Sequence, residues 1–389
     1  MESVNIVGVG MTKFGNLEDS IIDLAQKAGM ESLTDASLMD SPIDHMLVGS
    51  HNPEVFTGLS HLSTILADAL GVVPAGATRV ETGPSSGSSA FEAGVAMIRA
   101  GMADLLLVIG VEKMSGVPRA TATKILARML SEKDEIRYGV TPTALAALVT
   151  RLYMHDYGLT REELSLIPVK AHRNGAKNPL AHFQKEVTIE EVNTSPIIAD
   201  PLRLYDCCAT SDGAAALVLA SDKAVREHNL SDNAIRVLGV GHGTDYLALQ
   251  HHTSLTSLNA SKIASTKAFR MAGIKPSEID VCELHDAFSI LELLNMEDVG
   301  LFEKGHAIQA VKDGITEVSG SLPVNPTGGL KARGHPTGGT GIAQIRDIVL
   351  QLRGHAPRNL QVRDPTIGLT HNIGGFGNNI VVGIFSNEM

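Results

Sequence analysis

The run Asp104-Leu-Leu-Leu-Val-Ile-Gly-Val-Glu112 constrains this chain most. Its apolar residues are continuous rather than alternating, so both faces of the strand it forms must be covered, as in a parallel strand buried inside a sheet. A sheet covered on both faces needs helices on either side, and the flanking sequence supplies them. Ser20–Leu33 and Ala90–Gly101 place apolar or small residues at helical spacing, while Val4–Gly10 and Thr78–Thr82 are short β-type runs. Alternation of this kind predicts parallel sheets in a layered α/β architecture.

From Lys113 to about Arg203 the pattern changes. Helical segments at Thr141–Met154 and Arg161–Ile167 alternate with polar loops, no strand pair is evident, and the stretch reads as an insertion. Leu204–Ala220 returns to a buried strand. A second βα series follows through Ile235–Gly241, Ser265–Ile274 and Ile279–His285, and Ile380–Phe385 closes it. The expected division is 1–112 with 204–225, an inserted 113–203, and 226–389 as a second, loosely similar half.

At 389 residues, with 43% hydrophobic and 19% charged residues, the chain is expected to be a compact soluble protein. A net charge of −11 argues against a nucleic-acid partner, although a local basic patch for an anionic cofactor remains compatible with it. The three cysteines, Cys207, Cys208 and Cys282, form no disulfide framework and no paired metal spacing. The vicinal pair reads as buried packing. No basic-then-apolar leader and no run of membrane-spanning length is evident, which predicts a cytoplasmic protein with no membrane partner. Gly8-Val-Gly10 is followed by Lys13 where a dinucleotide fingerprint needs its third glycine. No HExxH or EF-hand pattern occurs, so no metal is expected.

Chemistry concentrates in Asn325–Gly341, which sets six glycines and two prolines around His335. Glycine lets backbone approach a ligand closely, Pro336 fixes the chain after the histidine, and an imidazole on such a loop moves protons near neutral pH. Ile342 onward has helical spacing, so the loop feeds a helix N-terminus. Cys282-Glu-Leu-His-Asp-Ala-Phe288 and Thr370-His-Asn-Ile-Gly-Gly-Phe-Gly377 read as two further polar turns.

Those three segments together resemble the thiolase superfamily, in particular its sterol-carrier-protein-linked and archaeal branches. The resemblance implies two similar βαβαβ-type halves in a layered α/β/α/β/α arrangement with an inserted loop domain that binds coenzyme A. It implies His335 and His285 as the catalytic histidines, Gly375 as an oxyanion-hole amide, and His371 and Asn372 as supporting residues. Arg173 and Lys177, in a stretch similar to the family's loop domain, are the expected partners of coenzyme A phosphates. A coenzyme A thioester is the expected substrate, with no permanently bound cofactor. A homodimer or dimer of dimers is expected, along with a zinc-ribbon/OB-fold partner protein of the kind relatives have.

The sequence departs from the family where the chemistry is hardest. A thiolase takes the acyl group on a cysteine thiolate at a helix N-terminus and moves the α-proton with a second acid/base, usually another cysteine. Here Val80-Glu81-Thr82-Gly83 leads to Pro84 at the nucleophile's position, with Ser85 and Ser86 as the nearest hydroxyls. Asn372 and Ala287 stand at the two positions of the second cysteine. Three readings follow: an acetyl-CoA C-acyltransferase that uses serine or water, an acyl-CoA lyase that forms no acyl-enzyme, or a non-catalytic coenzyme-A-binding subunit.

Overall fold

The computed structural model describes residues 2–388. Eleven strands run in chain order: β1 Val4–Met11, β2 His45–Gly49, β3 Gly76–Val80, β4 Leu105–Glu112, β5 Ile197–Ala199, β6 Leu202–Arg203, β7 Gly213–Ser221, β8 Ile235–Thr244, β9 Val281–Leu284, β10 Ile367–Gly374 and β11 Asn379–Ser386. Nine of them form one sheet in the order β3-β2-β4-β7-β1-β8-β11-β10-β9. The sheet is mixed: β2 runs parallel to β3 and β4, and β9 parallel to β10, while the other pairs are antiparallel.

β4 shows why its sequence is apolar throughout. Leu106 and Val108 pack on one face with Phe91, Val95 and Ile342, whereas Leu105, Leu107 and Ile109 pack on the other with Leu24, Ala28 and Leu66. The double burial predicted from sequence is present, but only one neighbour of β4 is parallel, because β7 pairs with it antiparallel. Continuous hydrophobicity reports covering on both faces and leaves strand direction open. The two halves of the sheet join where β1 pairs with β8 through Asn5↔Arg236 and Ile6↔Ile235.

Ser20 caps the Ile21–Asp35 helix, whose Asp23 returns a bond to the Ser20 N–H. The helices Ser86–Arg99 and Thr337–Arg353 lie on one face of the sheet and touch through glycine. A Cβ on Gly87 would sit 2.5 Å from the Gly338 carbonyl oxygen, and one on Gly338 would sit 2.5 Å from that of Val111. Only hydrogen fits at these two positions, so the first turn of the Thr337–Arg353 helix is seated against β4.

Between β4 and β7 lie the helices Arg119–Ala127, Pro142–Tyr157, Arg161–Gly175 and Ile189–Thr194. The same stretch contains a small antiparallel pair, β5–β6, that the sequence did not suggest. With three and two residues, these strands are too short to show periodicity. Leu145, Val149, Leu164 and Ile167 of this stretch share one apolar cluster with Ile290, Leu293 and Leu330 of the second half. The returning chain then touches both histidine-bearing segments: isolated bridges join Cys207 to Phe288 and Thr210 to His335. Thr370–Gly374, expected as a polar turn, belongs to β10, and the chain reverses only after it, where Gly375 takes φ 62°. Among the described residues no helix is long and apolar enough to cross a membrane.

Candidate active site

His285 follows β9 directly, and His335 precedes the Thr337–Arg353 helix. Their rings meet edge to face, with centroids 4.9 Å apart and planes at 89°. Both are buried, at 3% and 7% exposure, and both line the same cavity.

Hydrogen bonds fix opposite tautomers on the two rings. The Ile373 N–H points at His285 Nδ1 from 3.2 Å, and the Asn372 side-chain amide reaches the same nitrogen at 3.0 Å. A main-chain N–H can only donate, so Nδ1 accepts, and a neutral ring then carries its proton on Nε2. His335 is the reverse case. Thr340 Oγ1 donates its single hydrogen to the Pro336 carbonyl at 2.8 Å and lies 2.6 Å from His335 Nδ1, so Nδ1 donates to it. Nε2 of His335 therefore presents a lone pair. The cavity is offered one N–H donor and one nitrogen base.

Both rings are held neutral. Burial is the largest influence lowering the His335 pKa, to about 3, and the positive charge of Arg333 adds to it, with a further contribution from His51 when that ring is protonated. Burial likewise drives His285 well below its ordinary value, helped by His335, His371 and Arg333. Arg333 is itself fully buried, 2.5 Å from Asp347 and 3.5 Å from Glu283.

A buried carboxylate anchors the His335 loop. Glu112, at the end of β4, accepts the Thr337 hydroxyl at 3.0 Å and the Gly338 N–H at 3.1 Å, placing a carboxyl at the start of the helix. It also accepts the His51 N–H at 2.7 Å, which ties the loop after β2 to the same point. The His285 turn is held from the other side: Leu330 N–H donates to Asp286 at 2.6 Å, and Asn295 donates to the His285 carbonyl at 2.8 Å.

The cavity measures about 680 Å³, within the range of small-molecule sites. Val117, Leu126, Met129, Phe288, Leu291 and Phe376 form much of its wall. Arg119, Lys185, His172 and Tyr205 add polar groups, and Arg119 and Lys185 are solvent-exposed.

The structure gathers some of the sequence-predicted site residues and separates others. Gly375 lines the cavity, and Asn372 orients His285 from behind. His371 lies away from it, bonded to Ser261 at 2.8 Å. Pro84 forms part of the cavity wall, but Ser85 and Ser86 do not. The Ser85 hydroxyl bonds to the Thr82 carbonyl at 2.7 Å, and that of Ser86 donates to the Gly83 carbonyl at 2.5 Å. Each serine closes its own turn, with no exposed surface, so neither hydroxyl reaches the cavity. Arg173 and Lys177 line a different, shallower groove of about 330 Å³ together with Arg363, and Arg173 is paired with Glu317. One residue earlier on the same helix, His172 faces the cavity. A helix turns about 100° per residue, and that rotation turns Arg173 away from the cavity.

Comparison with known proteins identifies the family. The family model for the thiolase N-terminal domain matches residues 4–223, and the thiolase C-terminal domain-like model matches residues 241–387. The chain belongs to the thiolase family. An acetyl-CoA acetyltransferase from Methanothermobacter thermautotrophicus is 41% identical over 387 residues, covering 99% of this chain and 100% of that protein. Sterol carrier protein 2 from Bos taurus is 35% identical over 395 residues, covering 98% of this chain and 72% of that protein. Among solved structures, the Ltp2-ChsH2(DUF35) aldolase superposes with a TM-score of 0.85 at 25% identity, covering 99% of this chain and 97% of the other.

In this thiolase-family chain, sequence reasoning missed that the vicinal cysteines also line the cavity. Cys207 and Cys208 pack against the apolar cluster, as expected, and also line the cavity. The Cys208 N–H donates to the Ala287 carbonyl at 2.8 Å, which sets the pair against the His285 turn. Burial pushes their thiols up to about 11 and about 12, so both stay protonated at neutral pH. Neither spacing nor composition signals this contact, which is made by two segments far apart in sequence.

Proposed function

We propose that this thiolase-family protein acts on an acyl-CoA as a carbon–carbon lyase, through a thioester enolate and without an acyl-enzyme. The observation that carries the reading is the pair of opposite tautomers. His285 Nε2–H is a donor for the enolate oxygen, and His335 Nε2 is a base for a β-hydroxyl proton. Such a reaction needs no nucleophile. Pro84 supplies none, and Ser85 and Ser86 are turned away. The aldolase likeness supports the same direction. Arg119 and Lys185, exposed beside the cavity, are the cations we assign to the coenzyme A phosphates in place of Arg173 and Lys177. We further propose a homodimer and, because that aldolase is named as an Ltp2-ChsH2(DUF35) assembly, a small DUF35-type partner.

A second reading, acyl transfer, is favoured by the 41% identity to the protein named acetyl-CoA acetyltransferase. One experiment separates the two. The protein is incubated with acetoacetyl-CoA or with a branched 3-hydroxyacyl-CoA, intact mass is recorded, and the small-molecule products are identified. The lyase reading expects a shortened acyl-CoA and a carbonyl product, no protein-bound acyl group, and loss of turnover in His335→Ala. An acyl adduct that disappears in Ser85→Ala or Ser86→Ala would establish acyl transfer instead. Saturable coenzyme A binding with no turnover of either probe would refute both and leave a non-catalytic subunit.

A further inference from the structure

We infer that Cys208 is the proton donor of this cavity, returning a hydrogen from sulfur to the α-carbon of an enolate held at His285; the assignment rests on the enolate reading above. An enolate released by bond cleavage carries an electron pair on its α-carbon and must collect a proton before the product leaves. Neither histidine is suited to that step. His285 Nε2–H faces the enolate oxygen, and His335 Nε2 faces the departing hydroxyl.

The segment that carries Cys208 is held between the two histidine turns. Cys207 bridges to Phe288, the Cys208 N–H donates to the Ala287 carbonyl at 2.8 Å, and Thr210 bridges to His335. Several other hydrogens on the wall are engaged. The Lys331 ammonium donates to the Asp206 carbonyl at 2.8 Å, Thr337 donates to Glu112 at 3.0 Å, and the Cys207 thiol lies 3.7 Å from the Arg203 carbonyl. Tyr205 packs edge-on against His172, with centroids 5.4 Å apart, and its hydroxyl is the competing donor that the test below addresses. The Cys208 thiol has no hydrogen-bond partner among the described residues, yet it lines the cavity. A second polar group on the same wall is also unpartnered: His335, 7% exposed, has its Nδ1 on Thr340 and no hydrogen-bond partner at Nε2 among the described residues. An undissociated thiol is a proton donor rather than a nucleophile, and burial keeps this one undissociated.

The step balances. The β-hydroxyl gives its proton to His335 Nε2, the Cα–Cβ bond breaks, and the carbonyl fragment departs. The S–H bond of Cys208 then breaks as the new C–H bond forms at Cα from the enolate pair. The thiolate left behind takes the proton that His335 acquired, so neither a net proton nor an electron is consumed.

The reverse transfer is observable with a simple probe, exchange of the C2 hydrogens of propionyl-CoA in heavy water, followed by mass spectrometry. The wild-type protein should exchange, and Cys208→Ala should slow exchange by about 100-fold or more. Propionyl-CoA affinity should stay within about threefold, which a merely structural loss would not do. Cys208→Ser, nearly isosteric, should show the same loss and serves if the alanine variant misfolds. Exchange in both variants within about threefold of wild type would overturn the assignment and leave the enolate reading standing. Loss of exchange in Tyr205→Phe, with Cys208→Ala unaffected, would assign the proton to the phenol and also overturn it. No exchange by the wild-type protein would refute the enolate reading and the assignment together.

Discussion

Replacing Pro84 by cysteine tests whether the cavity still presents an acyl group to the position a thiolase nucleophile occupies. Pro84 lies on the cavity wall, one residue before Ser85, which precedes the Ser86–Arg99 helix. A thiol with an ordinary pKa of about 8.5 is roughly 3% ionised at pH 7. The helix N-terminus favours the anion by about 0.3–1 kcal/mol, or roughly 0.2–0.7 of a pKa unit. The ionised fraction then rises to roughly 5–14%, and His335 Nε2 is available as a base for the remainder. Loss of the proline should lower stability by about 0.4–1 kcal/mol through the unfolded chain, too little to unfold the protein. Intact-mass measurement after incubation with acetoacetyl-CoA should show one added acyl group. Peptide mapping should place it at position 84, and the Pro84→Cys/His335→Ala double variant should lack it. A folded Pro84→Cys protein that stays unmodified while binding coenzyme A would refute the placement of the thioester beside Pro84.

Three further expectations concern the frame around the site. Lys170 and Glu292 form a buried ion pair at 2.6 Å, and Glu292 also accepts from Asn325; Lys170→Met should cost about 3–5 kcal/mol in urea unfolding. Adding Glu292→Gln, which removes the stranded charge and keeps an acceptor for Asn325, should restore most of that loss, and no recovery would contradict the pairing. Gly87→Ala would drive a Cβ to 2.5 Å from the Gly338 carbonyl, so a loss of about 1–3 kcal/mol and weakened turnover are expected, whereas an unchanged urea midpoint would refute the close approach. His335 is lowered to about 3 and His285 well below its ordinary value, so the acid limb of kcat/KM should fall well below pH 6.5. The unfolded chain takes up protons at these histidines below about pH 6.5 and the folded chain does not. Their contribution to stability is therefore complete above that pH and declines as pH falls toward 3; an acid limb at 6.5 would show that the rings are not buried as described.

The parts of the fold written in local pattern were legible in the sequence. β4 needed covering on both faces and has it, and the Gly-His-Pro loop does feed a helix, although that helix already begins at Thr337. The three late motifs do converge, because His285, His335 and Gly375 line one cavity. What was not legible depends on rotation and long-range contact. Chemistry and proximity in sequence point to Ser85 and Ser86, but the turn points its hydroxyls at its own carbonyls and leaves Pro84 on the wall. Charge points to Arg173, while helical geometry gives the cavity face to His172. Cys207 and Cys208 do pack against the apolar cluster, but local sequence carries no sign that the returning chain also sets them against the turn that carries His285.

The order of strands in the sheet also bears on how the chain is made. β7 pairs with both β4 and β1, yet it follows β4 by about a hundred residues, from 113 to 212. A ribosome adding about 5–20 residues per second needs roughly 5–20 s to cover that distance. Throughout that interval an apolar strand edge waits without its neighbour, open to pairing with another nascent chain. Aggregation during synthesis, rather than instability of the finished fold, is therefore the failure to look for when this protein is produced at speed, and slower translation or added chaperone should relieve it.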